Sequence, residues 1–149
     1  MIYDVLLFSF YSFIATFAFS VIFNIKGRNL FFAALGGGIS WFFYLISLES
    51  NMSNTLSIFN GALLTAIYSE ITARALRTPV TTFIISGILP LVPGGGMYYT
   101  MLEFTRGDVN KALEMGLSTL TTAGAIAIAL VLVSSITKLI TYKKRRIKK

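Results

Sequence analysis

Few residues in this chain can do side-chain chemistry. Its 149 residues include no His and no Cys, which removes the usual metal ligand, the usual proton shuttle and any disulfide or thiol chemistry. The best remaining candidate is backbone. Pro90-Leu91-Val92-Pro93-Gly94-Gly95-Gly96 interrupts an uncharged run, residues 80–102, that is otherwise long enough to cross a bilayer. Each proline deletes a backbone donor and clashes with the preceding turn, and the glycines hold a helix weakly. In hydrocarbon the freed backbone groups need partners, so such a break is tolerated only inside protein or beside a wet cavity. Carriers use discontinuous helices to aim half-helix ends at a solute. A half-helix starting near Gly94 points its N–H groups and positive dipole end toward the midplane, where a carboxylate can bind. Tyr98 or Tyr99 then offers a hydroxyl to a second polar group. The competing reading is a kink that only packs, because Gly and Pro are commoner in membrane helices than in soluble ones. Seven consecutive residues of this composition favour the substrate-facing reading.

Among side chains, Glu70 is the one carboxylate well inside an apolar run, and an ionisable group there is a functional candidate by default. Arg74 follows four residues later, in the favourable helical order for an ion pair. Structural pairing and a coupling or gating role are both open at this point. Neither a Ser–His pair nor two in-span carboxylates exist to run hydrolysis, so an enzyme is not expected. No metal site or cofactor is expected either.

These groups must be positioned by membrane elements. The chain is 55% hydrophobic and 13% charged, with mean hydropathy +0.75. It reads as one domain, an all-α polytopic membrane helix bundle spanning residues 1–149. Five nearly uncharged runs, 5–25, 30–48, 55–73, 80–102 and 115–137, each approach or exceed the roughly 20 residues of a span. The expectation is five transmembrane helices with the fourth broken at residues 90–96. The first run follows Asp4 rather than a basic segment and does not read as a signal peptide. In the second, Gly36-Gly37-Gly38 permit close helix approach, and Trp41 and Tyr44 fall where interfacial anchors belong. The last run is rich in small residues, which suggests burial against several helices, a partner chain's included.

The net charge is +7, yet seven of the basic residues lie in a tail, residues 138–149, directly after the last run. Such a juxtamembrane cluster serves topology and anionic lipid rather than nucleic acid. With five spans, 11 of the 13 basic residues fall on one side and only Arg106 and Lys111 on the other. Basic flanks mark the cytoplasmic side, which places the N-terminus outside and the C-terminus inside.

The stretch Ala73-Arg74-Ala75-Leu76-Arg77-Thr78-Pro79, then Gly87-Ile88-Leu89-Pro90-Leu91-Val92-Pro93-Gly94 and Tyr98, resembles the threonine/serine exporter family, most of all its small (YjjB-type) subunit. That resemblance implies export of small carboxylate-bearing solutes: threonine and serine, or a dicarboxylate such as succinate. It implies a larger membrane subunit of the same family as partner, and residence in a bacterial cytoplasmic (inner) membrane. An accessory membrane subunit with no substrate site of its own is the alternative, and a channel is a third reading.

Overall fold

In the computed structural model, residues 2–147 are described, with side chains through residue 140. The described residues are helical throughout their regular structure. Helix α1 covers Ile2–Ile22, α2 Arg28–Glu49, α3 Asn54–Leu76, α4 Val80–Ile88, α5 Gly94–Thr105 and α6 Val109–Ile147, with one 3₁₀ turn at Leu89–Leu91 between α4 and α5.

The ends follow local chemistry. Ser53 caps α3 by accepting the Leu56 N–H at 3.4 Å. Arg77 closes α3 in the left-handed conformation, φ 53°, and returns its N–H to Ala73. Pro79 then prevents continuation and opens α4. Asp108 accepts the Lys111 N–H at 3.0 Å and caps α6, after Gly107 has turned the chain at φ 85°.

The bundle is polar and small inside, large and apolar outside. On α1 the buried positions are Val5, Ser9, Ser12, Thr16 and Ser20, a stripe at helical spacing. Phe8, Phe10, Tyr11, Phe17 and Phe19 face outward. The same inversion runs through α3, whose buried residues are Ser, Thr, Ala and Gly apart from Ile58. A chain surrounded by lipid gains nothing by hiding large apolar groups, and packs instead through small residues that let backbones approach. The glycines of α2 do this. A Cβ on Gly37 would strike the Thr16 hydroxyl of α1, and one on Gly36 would reach Tyr68 at 3.3 Å and the Gly87 backbone of α4 at 3.5 Å. Several interior hydroxyls bond the preceding turn, as Ser9 bonds Val5 O at 2.6 Å and Thr65 bonds Gly61 O at 2.8 Å. Ser12 crosses to Gly37 O of α2 at 2.9 Å. Thr16, Ser20, Ser69 and Ser86 keep fully buried hydroxyls with no acceptor or donor among the described residues.

Helix α2 packs against α1, α3 and α4, and α3 also carries α6; α5 packs chiefly on α6. Three helices, α1, α2 and α6 through Ile140, are long and apolar enough to cross a membrane, and the bent pair α4–α5 would make a fourth. Helix α3 has the length, 23 residues, but not the apolarity. The reason is its central position, where Ser57, Thr65, Ser69 and Thr72 face neighbours instead of lipid. The expected fifth span thus rests on a helix whose composition is polar because it is enclosed.

Two boundaries are corrected. The uncharged run 115–137 lies inside a 39-residue helix, Val109–Ile147, that extends beyond it at both ends; the side chains beyond residue 140, most of the basic tail's among them, lie outside the described ones. The stretch between the runs 80–102 and 115–137 is mostly helical, the turn itself being Arg106-Gly107-Asp108, and Glu103 lies inside α5.

Candidate functional site

The break expected at residues 90–96 exists. The segments on either side of it meet at a 54° bend. Pro90 sits in the 3₁₀ turn, Val92 is extended (φ −61°, ψ 126°), and Pro93 (φ −77°, ψ 57°) directly precedes α5. The first four N–H groups of any α-helix have no partner within the helix. Here the Gly94 N–H turns back to Val92 O at 2.7 Å and the Met97 N–H reaches Pro93 O at 3.1 Å. Those of Gly95 and Gly96 find no acceptor among the described residues.

Beside this break lies a cavity of about 290 Å³, at the small end of the range for ligand sites. Pro90, Leu91, Val92, Pro93 and Gly96 form one wall, Trp41 and Tyr44 of α2 with Asn54 and Ile58 of α3 a second, and Ser118, Thr119 and Thr122 of α6 a third. No charged residue lines it. The Tyr44 hydroxyl donates to Asn54 Oδ1 at 3.0 Å, fixing both groups. Thr119 donates to Met115 O at 2.7 Å and Thr122 to Ser118 O at 3.0 Å. A Cβ on Gly96 would run into the Thr119 hydroxyl, so glycine there is what lets α5 meet α6 at this level.

The residues singled out from sequence are distributed unevenly around it. Pro90, Pro93 and Gly96 line the cavity. Gly94 and Gly95 sit exposed at its lip, with nothing within 4 Å of a built Cβ. Tyr98 and Tyr99 do not reach it. They lie on the outer side of α5, 63% and 52% exposed, edge to face with each other at 5.3 Å. They point away from the cavity, and the tyrosine that lines it is Tyr44. Trp41 and Tyr44 read as membrane-interface anchors from sequence, and the α6 hydroxyls as packing groups. The signal that would have found the latter is the i, i+4 pair Ser118 and Thr122 beside Thr119, on one face of a helix.

Glu70 and Arg74 pair at 3.7 Å, the glutamate side chain 17% exposed and the arginine 54%. With Ile67, Ile71, Val133, Thr137 and Ile140 they line a groove between α3 and α6, apart from the cavity at the break. Glu70 is also not the most enclosed carboxylate. Glu103, near the end of α5, has a side chain 8% exposed and accepts from both Arg106 (3.3 Å) and Lys111 (3.2 Å). It was missed because a charge ended the apolar run, although the helix continues past it.

The family described as "Threonine/Serine exporter, ThrE" matches residues 9–136. No curated protein and no solved structure matches the chain. The match covers α1 through most of α6 and takes in the broken helix and every wall of the cavity. The chain belongs to the threonine/serine exporter family, and its function is membrane transport of that exporter type.

Proposed function

We propose that the chain is the small subunit of a secondary exporter of small carboxylate-bearing solutes, threonine and serine or a dicarboxylate such as succinate, and that the cavity at the α4–α5 break is its solute site. The observation that carries this reading is the pair of N–H groups on Gly95 and Gly96, left without acceptors at the start of α5. A carboxylate placed there receives two backbone hydrogen bonds and the positive end of the helix dipole. Trp41, Tyr44 and the α6 hydroxyls enclose the rest of the solute. The α5 half-helix packs chiefly on α6, which is consistent with a larger membrane subunit of the same family completing the assembly.

In this reading five helical segments cross a bacterial cytoplasmic (inner) membrane, with α3 enclosed, the N-terminus outside, and the basic tail on the cytoplasmic side against anionic lipid. Glu70 with Arg74 is the candidate coupling or gating pair, placed at the cytoplasmic half of the α3–α6 groove. The test replaces Pro93 with Ala and Gly94 with Leu together. The first change allows α4 to run on and consume the free N–H groups, and the second puts bulk at the lip of the cavity. The double variant should insert and assemble with its partner while serine, threonine and succinate efflux falls at least tenfold. Wild-type efflux from a normally assembled double variant removes this site from the mechanism. Loss of assembly in step with loss of efflux assigns the break to packing and makes the chain an accessory subunit.

A further inference from the structure

Far from the cavity, two turns gather positive charge that no acid answers. Lys26 and Arg28 stand at the α1–α2 turn, Arg74 and Arg77 at the α3–α4 turn. The fold joins these turns side by side. Asn29 Nδ2 donates to Thr78 Oγ1 at 3.1 Å, and Thr78 gives its own proton to Leu76 O at 3.2 Å. Beneath that bond, Ile25 from the first turn and Leu76 and Val80 from the second pack on one cluster of Ala33, Ala73 and Phe83. Glu70 takes Arg74. Lys26, Arg28 and Arg77 are exposed and make no ion pair among the described residues. The sequence has no Asp or Glu between residues 5 and 48 or between 71 and 102 that could reach them from nearby in the chain. Like charges held together repel, and an anion placed among them relieves the repulsion. Helices α2 and α4 both start here without a side-chain cap, so their dipoles add potential of the same sign.

We propose that the joined α1–α2 and α3–α4 turns bind the phosphate of an anionic membrane phospholipid through Lys26, Arg28 and Arg77. The surroundings favour a lipid over a free phosphate. Ile22 and Phe23 just ahead of the first turn, and Ile71 in the helix leading to the second, are exposed apolar side chains. Phosphate chemistry next to apolar surface at a helix end suits an amphiphile, whose headgroup takes the cations and whose chains cover the apolar groups. Arginine adds paired N–H donors that match phosphate oxygens. The tie between Asn29 and Thr78 makes this a built site rather than a smear of charge, because it fixes cations from two different turns around one place. A lipid held there bridges α1–α2 to α3–α4 and stabilises the tightly packed half by mass action. Nothing in this inference depends on which solute is carried.

The full chain, with any co-purifying membrane subunit retained, is mixed in mild detergent with equal amounts of phosphatidylglycerol and phosphatidylcholine, and bound lipid is counted by native mass spectrometry. The wild type should prefer phosphatidylglycerol, which should also raise its thermal midpoint. The triple variant Lys26→Gln, Arg28→Gln, Arg77→Asn should lose the preference, by about fivefold for each charge removed; asparagine suits the left-handed backbone at residue 77. Lys26→Gln alone gives the single-charge step if the triple variant folds poorly. Asn29→Ala keeps every charge and unties the turns, and should weaken the preference about three- to tenfold. An unchanged preference in Asn29→Ala, or no preference in the wild type, overturns the built site and leaves only diffuse charge. Glycerol phosphate, which has the headgroup chemistry without acyl chains, should leave the thermal midpoint in phosphatidylcholine nanodiscs unmoved. A rise equal to that given by phosphatidylglycerol makes the ligand a soluble phosphate and overturns the lipid assignment.

Discussion

The two halves of this bundle are packed by opposite rules. In the α1–α4 half, glycine meets side chain or backbone at every crossing: Gly37 against Thr16, Gly36 against Gly87, Gly87 against Thr65, and Gly61 against Ser40 O. In the α5–α6 half, Gly94, Gly95 and Gly124 have nothing within 4 Å of a built Cβ, while Gly96 meets Thr119 and Gly116 meets Thr100 at 3.3 Å where α5 and α6 touch. Glycine therefore does two jobs in one chain. In the first half it removes a side chain so that helices can touch, and in the second it leaves backbone bare. The sequence pattern is the same triplet in both places, Gly36-Gly37-Gly38 and Gly94-Gly95-Gly96; what differs is whether a neighbouring helix is there to fill the space.

The largest effect should come from the tight half. Gly37→Val places a branched side chain where the Thr16 hydroxyl sits, and overpacking of this kind costs about 1–3 kcal/mol. The loss should appear as a lowered thermal midpoint and a smaller monodisperse fraction after extraction in mild detergent. Gly124→Ala, in the open half, should leave both within error; equal losses from the two variants would erase the contrast.

Gly96→Ala comes next, because it separates function from fold at the tightest glycine contact of the α5–α6 half. The added methyl collides with Thr119 and pushes α5 off α6 at the cavity. Efflux should fall about tenfold or more, since misplacement on the order of an ångström already costs that much in a positioned site. Protein yield should stay near wild type. Gly94→Ala, with open space around it, should lower efflux far less, measured in the same loaded cells.

Glu103→Gln tests what holds the loose half together. Removing the charge leaves Arg106 and Lys111 with a neutral amide, and the two cations are more than half exposed, so water offsets most of the loss; about 1 kcal/mol is expected. Limited proteolysis at the Arg106-Gly107-Asp108 turn should speed up severalfold. The smallest effect on stability belongs to Glu70→Gln, whose partner Arg74 is half exposed, and a shift within about 0.5 kcal/mol is expected. A pH dependence of efflux that disappears in this variant would assign the pair to coupling, and one that persists would leave it a structural pair.

The break and its glycines were legible because proline and glycine act locally: the chain bends at residues 89–93 whatever surrounds it. The family was legible from the same stretch. Which side chains face the cavity was not. Helices apolar all round carry no face in their periodicity, so Tyr98 and Tyr99, next to the break in sequence, looked nearer the site than Tyr44, which reaches it from another helix. Glu103 was hidden for a different reason: a buried carboxylate reads as a helix end until its cations, three and eight residues on, are folded back over it. The number of spans was hard to read at α3 because an enclosed helix gives up apolarity that a lipid-facing one must keep.

The bend also sets a length. The nine residues of α4 and the three of the 3₁₀ turn rise about 20 Å, and the twelve of α5 about 18 Å. Tilted by 54°, α5 contributes about 11 Å of height to an upright α4, and the pair together reaches about 30 Å, the thickness of a hydrocarbon core. Neither half is long enough to cross alone; counted as one span with α4 upright, the bent pair just matches that thickness. The joint then lies about two-thirds of the way from the α4 end, off the midplane and nearer the face where α5 meets α6. Straightening the joint would raise the α5–α6 turn by about 7 Å relative to the bilayer, so opening this helix and lengthening it are a single movement.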